Sequence, residues 1–320
     1  MEILSLTPTV KRAIWGGEKL RKDWGYRTDV DRPAEAWLLS CHPDGPSIVK
    51  NGKYAGRTLS EALAAEGKAV LGTHNADKPD FPVLIKLIDA KEKLSVQVHP
   101  DDDYARRVEH ENGKTEAWLV LEADPGAALV YGVNAPIEKA DFRRHIEENT
   151  LEQTLNFVPV KAGDVAFIPA GTLHAIGGGI LIAEVQQSSN TTYRVYDYHR
   201  QEPDGSYRPL HIDKALDVVD LAVPTRSFAP AGVPTPVGDA QKTLLTACDF
   251  FSMTEVKLEG EYADTADATS FVSLLVLEGE GELECGDEFL SLHKGDSIFI
   301  PAAKGEYEVR GSLRLLETRT

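Results

Sequence analysis

The chain has 320 residues, 42% of them apolar, enough for two ordinary domains or one large β structure with a full core. Lys and Arg number 34 and Asp and Glu 51, a net charge of −17, so the surface repels nucleic acid and anionic membranes and leaves any anionic substrate to local cations. Three scattered cysteines (Cys41, Cys248, Cys285), a start without a basic and apolar leader, and no run of about 18 apolar residues point to a reducing cytoplasm, with no disulfide framework and no membrane span.

Residues 1–55 read as short strands and turns, with an aromatic turn at Ile14–Gly17 and an alternating strand at Ala34–Ser40. Thr58–Glu66 carries helix signals: Thr58 as N-cap, Glu61 at the capping-box position and Gly67 just past the end. Phe81–Asp89 is an apolar strand broken by one charge, Lys86, which is either an edge-strand residue or a cation placed in a cleft.

The stretch 94–116 carries the strongest chemical signal. In Val-Gln-Val-His-Pro, Gln97 and His99 share one strand face, because side chains two apart point the same way. Lys114 and Glu116 share a face on a following strand, Lys114–Val120, and Phe-Ile-Pro-Ala-Gly-Thr-Leu-His ends at His174. Gln97, His99, Glu116 and His174 offer an amide oxygen, two imidazoles and a carboxylate, ligand types suited to a catalytic divalent metal. Either histidine alone reads as an ordinary partly buried residue. Together the set argues otherwise, since Gln beside His on one face packs no better than Val or Leu.

An internal repeat organises the rest. Gly-Asp-Val-Ala-Phe-Ile-Pro-Ala at 163–170 recurs as Gly-Asp-Ser-Ile-Phe-Ile-Pro-Ala at 295–302, and Leu-Val-Leu-Glu precedes each, at 119–122 and 275–278. Repetition of a Gly-Asp corner and a Pro-closed strand predicts a mainly β chain of two jelly-roll β-barrels, over residues 1–225 and 238–320. The first copy carries an insertion, 41 positions from Glu122 to Gly163 against 17 from Glu278 to Gly295, with helical character over 136–155. By register Glu116 corresponds to Val272 and His174 to Glu306, so the second copy lacks the ligands and reads as a degenerate, metal-free barrel.

Residues 177–200 read as a hairpin turning at Ser188-Ser189-Asn190, which would set Glu184 opposite Arg194. Taken alone, that is a surface ion pair of little worth. Its closeness in sequence to His174 makes the face a candidate wall of the same cavity. His211–Leu221 is a short predicted helix, and 221–237 reads as a linker.

At this point the residues resemble a family. Val-Gln-Val-His-Pro, Gly-Lys-Thr-Glu, Pro-Ala-Gly-Thr-Leu-His and the nine-residue gap from Glu184 to Arg194 resemble type I mannose-6-phosphate isomerases in their short bacterial form. The resemblance implies a cupin fold and one zinc ion per chain, or another divalent metal, held by Gln97, His99, Glu116 and His174. It also implies catalytic roles for Arg194, Glu184 and Lys114, and a pocket for a phosphorylated hexose that includes Lys86, Lys114 and Arg200. Many members have lysine where Arg200 stands; a cation is kept, though Lys and Arg are different donors. The implied chain is a cytoplasmic monomer or homodimer. Two rivals use the same residues. Two histidines and a carboxylate also suit a non-heme iron oxygenase, and a double-barrel sugar-phosphate-binding protein could keep the fold without turnover.

Overall fold

The computed structural model describes residues 1–320, and the chain is mainly β. The predicted helix forms as Leu59–Glu66 with a full capping box: Thr58 Oγ1 accepts from Glu61 N at 3.2 Å and Glu61 Oε2 from Thr58 N at 2.8 Å. The predicted helix at 211–221 forms as Ile212–Val218.

Three sheets build the molecule. A six-stranded sheet runs Val165–Ile168, Glu116–Ala123, Ile180–Gln187, Val83–Ala90, Pro33–Leu39, Thr9–Arg12 in spatial order. A five-stranded sheet runs Tyr193–Tyr196, Val96–Val98, His174–Ala175, Ala128–Val133, Leu155–Pro159. Ile88, Trp118 and Ile182 of the first share an apolar cluster with Leu129 and Tyr131 of the second, so these two sheets face each other. The other face of the six-stranded sheet is covered too. Ile85, Leu87, Leu119 and Leu181 pack with Phe271, Phe299 and Leu316 from the second half of the chain. A sheet covered on both faces reads as continuous apolar runs, and Val83–Ala90 and Ile180–Gln187 are buried at every position.

The second half supplies seven strands of a nine-stranded sheet, which Leu4–Thr7 and Ile48–Val49 complete, with its own apolar interior. Its long strands Ser252–Ala266 and Gly305–Arg319 pair over their whole length. The sheets stay open, so the two-barrel expectation holds for the mainly β, paired-copy arrangement and not for closed barrels.

The repeat is physical. Gly163 N donates to Val120 O at 2.8 Å and Val120 N to Asp164 O at 2.9 Å; Gly295, Val276 and Asp296 reproduce both bonds at 2.8 and 2.9 Å. Both corner glycines have left-handed φ, 90° and 91°, which a side chain would oppose. Glu116 pairs with Ile168 as Val272 pairs with Ile300, so the register that equates Glu116 with Val272 is the one the backbone adopts. Val272 lies in the apolar interior.

Several expectations need correction. The strand Leu4–Thr7 pairs with Ser297–Ile300, so the start of the chain belongs to the second half's sheet and a first unit of 1–225 does not describe the sheets. Strand pairing is non-local, and four residues of apolar alternation carry no record of their partner. The hairpin at 177–200 does not form. Ile180–Gln187 lies in the six-stranded sheet and Tyr193–Tyr196 pairs with Val96–Val98 in the other, so the intervening residues cross between sheets. The helix in the insertion is Lys139–Glu147, followed by a 3₁₀ turn Leu151–Thr154 and then a strand. No helix is long and apolar enough to cross a membrane.

Candidate active site

Two rows of side chains face each other between the sheets. On the five-stranded side Tyr131, His174, Gln97 and Arg194 stand side by side in register across adjacent strands. Directly paired residues of antiparallel strands project to the same face. On the six-stranded side the row is Trp37, Lys86, Glu184, Trp118, with Glu116 two residues from Trp118 on the same face. The expected separation of Glu184 and Arg194 by one hairpin is replaced by their placement on opposing sheets.

His99, Glu116 and His174 converge, each offering a ligand atom within 4.8 Å of the others, and all three are buried. His174 Nε2 lies 3.2 Å from Glu116 Oε1 and His99 Nε2 lies 3.5 Å from Oε2. Each imidazole spends its other nitrogen on the backbone. His99 Nδ1 bonds Thr191 O at 2.9 Å and His174 Nδ1 bonds Thr172 O at 2.8 Å. A carbonyl can only accept, so Nδ1 carries the proton and Nε2 keeps its lone pair. Burial, reinforced by the Lys114 charge, holds His99 well below the usual histidine range, and burial takes His174 down to about 4, so both rings are neutral, the ligating form. Both Glu116 oxygens are buried without a hydrogen bond. Gln97 completes the group, its amide nitrogen 3.4 Å from His174 Nε2; turning the amide over would present its oxygen instead. Two imidazole lone pairs and a buried carboxylate, with Lys114 as the one cation against them, fit a divalent metal.

The turn that delivers His174 depends on Gly171. Its φ is 86°, its N–H donates to His99 O at 2.8 Å, and a side chain there would meet Val218 O at 3.0 Å.

Lys114 reaches between His99 and Glu116, Nζ 3.0 Å from His99 Nε2 and 2.9 Å from Glu116 Oε2. Lys86 is on a central strand, which rules out the edge-strand reading. Nζ lies 3.2 Å from Glu184 Oε1 and 3.6 Å from Glu35 Oε2. Burial works to lower Lys86, but the carboxylates of Glu184, Glu35 and Glu116 outweigh it and hold the ammonium above its ordinary range. Glu184 is raised, by burial first and by Glu116 second, against the pull of Lys86. Trp118 Nε1 donates to Glu184 Oε2 at 2.8 Å.

Arg194 bonds only neutral acceptors, Ser95 Oγ at 3.1 Å and Pro209 O at 3.0 Å, so its charge is uncompensated by any carboxylate contact. Burial lowers it, and Arg208 pushes the same way. Arg200 donates to Lys93 O and to Asp197 Oδ1, the latter at 2.6 Å. Arg208 makes a two-point contact with the same carboxylate at 2.8 and 2.6 Å. Ser95 stands two residues before Gln97, just ahead of the strand Val96–Val98, so the Arg194 contact lies about 7 Å along the chain from Gln97 for extended backbone.

Trp118, Asp197 and Arg208 were not anticipated. Trp118 was legible, two residues from Glu116 on one face. Nothing local marks Asp197 or Arg208, which meet the site through a loop.

Sequence comparison places these residues among known proteins. Residues 3–118 match the family model "Phosphomannose isomerase type I, catalytic domain", and residues 240–319 match "Mannose-6-phosphate isomerase, cupin domain". Gln97, His99 and Glu116 fall in the first; His174 and Arg194 lie between the two matches. The mannose-6-phosphate isomerase of Streptococcus mutans is 39% identical over 319 residues, covering 100% of this chain and 98% of the relative. Mannose-6-phosphate isomerase ManA of Bacillus subtilis is 38% identical, covering 97% and 96%. The crystal structure of the mannose 6-phosphate isomerase from Bacillus subtilis superposes with a TM-score of 0.91 at 36% identity, covering 99% of each chain. With full-length relatives at this identity and a shared fold, the chain belongs to the type I mannose-6-phosphate isomerase family.

Proposed function

We propose that the chain interconverts mannose 6-phosphate and fructose 6-phosphate in the cytosol, with one zinc ion held by Gln97, His99, Glu116 and His174. One observation carries this reading. Two buried imidazoles turn their unprotonated Nε2 atoms to a buried carboxylate, and a buried Lys86–Glu184 pair stands beside that group. Bound there, the divalent cation supplies Lewis acidity to the oxygens on carbons 1 and 2 of the sugar.

The side chains supply the remaining needs of the reaction, which moves a proton between carbons 1 and 2 of the open-chain sugar through a cis-enediol. Glu184 is assigned to the proton shuttle, since burial and Glu116 raise it toward the range where a carboxylate both takes and returns a proton. Lys86 holds it in place. Lys114 and Arg194 stabilise the negative charge that develops on the enediolate oxygens, Arg194 with a charge no carboxylate neutralises. Arg200, fixed by Asp197, is assigned to the phosphate.

A coupled assay with both sugar phosphates, on zinc-loaded and chelator-stripped protein, tests the reading. Loaded protein should turn over both and stripped protein neither. Full activity after verified metal removal would refute the metal role, and inert loaded protein would refute the isomerase.

A further inference from the structure

The residues that cross between the two sheets carry the carbonyl that orients His99, and one distant carboxylate holds that crossing. Glu111 Oε2 accepts from three successive residues, Ser189 Oγ at 3.2 Å, Asn190 N at 3.1 Å and Thr191 Oγ1 at 3.0 Å. Thr191 is the residue whose carbonyl bonds His99 Nδ1. On its far side Glu111 Oε1 lies 3.5 Å from His42 Nε2. His42 Nδ1 accepts from Asp44 N at 3.1 Å, which leaves Nε2 as the nitrogen that donates toward Glu111. Asp44 Oδ2 in turn accepts from Asn190 Nδ2 at 2.7 Å. Glu111 follows His110, whose φ of 60° is rare for a residue with a side chain.

We propose that Glu111 is a positioning residue for His99. It fixes Thr191 so that the Thr191 carbonyl accepts a hydrogen bond from His99 Nδ1–H and the Nε2 lone pair faces Glu116. The proposal rests on the reading of His99, Glu116 and His174 as a metal centre. Its physical basis is that a partner on the second nitrogen of a ligating imidazole sets both tautomer and ring orientation. Other bonds hold the neighbouring residues, Gln186 Nε2 to Ser189 O at 2.7 Å and Asn190 Nδ2 to Asp44 Oδ2 at 2.7 Å, but those on Thr191 itself lead to Glu111, because Thr191 N bonds Ser189 Oγ, itself a donor to Glu111. Hydrogen bonds to a carboxylate are the stronger kind, and here three of them converge on one oxygen.

The test uses full-length protein, stripped of metal and titrated with zinc against a chromophoric chelator, with the visible spectrum of the cobalt-loaded form as a second readout. Glu111→Ala should bind zinc about tenfold more weakly, at the lower end of the usual loss for outer partners of ligating histidines, and should shift the cobalt bands. Glu111→Gln keeps an acceptor for the crossing and should restore most of the affinity. Thr191→Val keeps shape and carbonyl while removing the hydroxyl donor; its effect should not add fully to that of Glu111→Ala, because both act on one path. Wild-type zinc affinity and cobalt bands in Glu111→Ala would overturn the proposal, whatever happens to its melting temperature. If that variant does not fold, Thr191→Val decides, and an unchanged affinity there overturns it equally. Wild-type protein that binds neither zinc nor cobalt would remove the metal reading itself, and this proposal with it.

Discussion

Lys86 and Glu184 are direct partners on adjacent central strands, with Nζ 3.2 Å from Oε1 and both side chains almost wholly buried. A carboxylate taken out of water needs a counter-charge. Lys86→Met should therefore act twice. Stability should fall by about 3–5 kcal/mol, the usual cost of stranding one charge of a buried pair. Glu184, already raised by burial and Glu116, should rise further, moving the lower limb of the pH–rate profile toward alkaline pH. Urea unfolding and a pH series of kcat check both. An unchanged profile would take Glu184 out of the proton shuttle.

Arg194 differs from the other cations near the site, because its partners Ser95 Oγ and Pro209 O are neutral. Arg194→Ala should lower kcat by about 10²–10³, the size of loss when a preorganised charge stabiliser is removed. Arg194→Lys should recover only part, since one ammonium cannot reproduce the two fixed donors. Steady-state kinetics on fructose 6-phosphate measure it, and an alanine variant within a few fold of wild type would remove Arg194 from the mechanism.

Asp197 holds two arginines at once. Its carboxylate accepts from Arg200 at 2.6 Å and from Arg208 at 2.8 and 2.6 Å, and these donors keep it below the usual aspartate range against its burial. Asp197→Asn should release both guanidinium groups. If they serve the phosphate in ground and transition state alike, KM should rise about tenfold with kcat nearly unchanged. A matching loss in kcat would place the arginines in the chemical step instead.

The part of this site that was legible in the sequence follows a short-range period. Gln97 with His99, and Lys114 with Glu116, obey the two-residue alternation of strands, and the repeated Gly-Asp corner sets Glu116 against Val272. What failed was long-range pairing. Ser188-Ser189-Asn190 has the composition of a hairpin turn, yet it crosses from one sheet to the other, because strand partners are chosen by non-local packing. Lys86 was undecidable locally for the same reason: only its partners Glu184 and Glu35 mark it as internal. The helix Asp102–Val108 was missed despite a full local signal. Asp101 caps it by accepting from Tyr104 N at 2.9 Å, acids fill its first turn and Arg106 and Arg107 its last.

One network in the second half of the chain should contribute to the acid sensitivity of the fold. Lys242 Nζ donates to Asp264 Oδ2 at 2.7 Å, Tyr262 Oη to the same oxygen at 2.6 Å, and Thr265 N to Oδ1 at 2.7 Å. Burial works to raise Asp264, but these donors prevail and bring it from 3.8 to about 2. A carboxyl depressed in the folded state binds its proton less readily there than in the unfolded chain. Its contribution is therefore complete above pH about 4 and disappears as pH falls toward about 2. Asp264→Asn should be less stable than wild type at pH 6, and the gap between the two should close as pH is lowered through that window. Urea midpoints at a series of pH values measure the gap. A difference that stays constant down to pH about 2 would show that the Asp264 charge contributes nothing to the network.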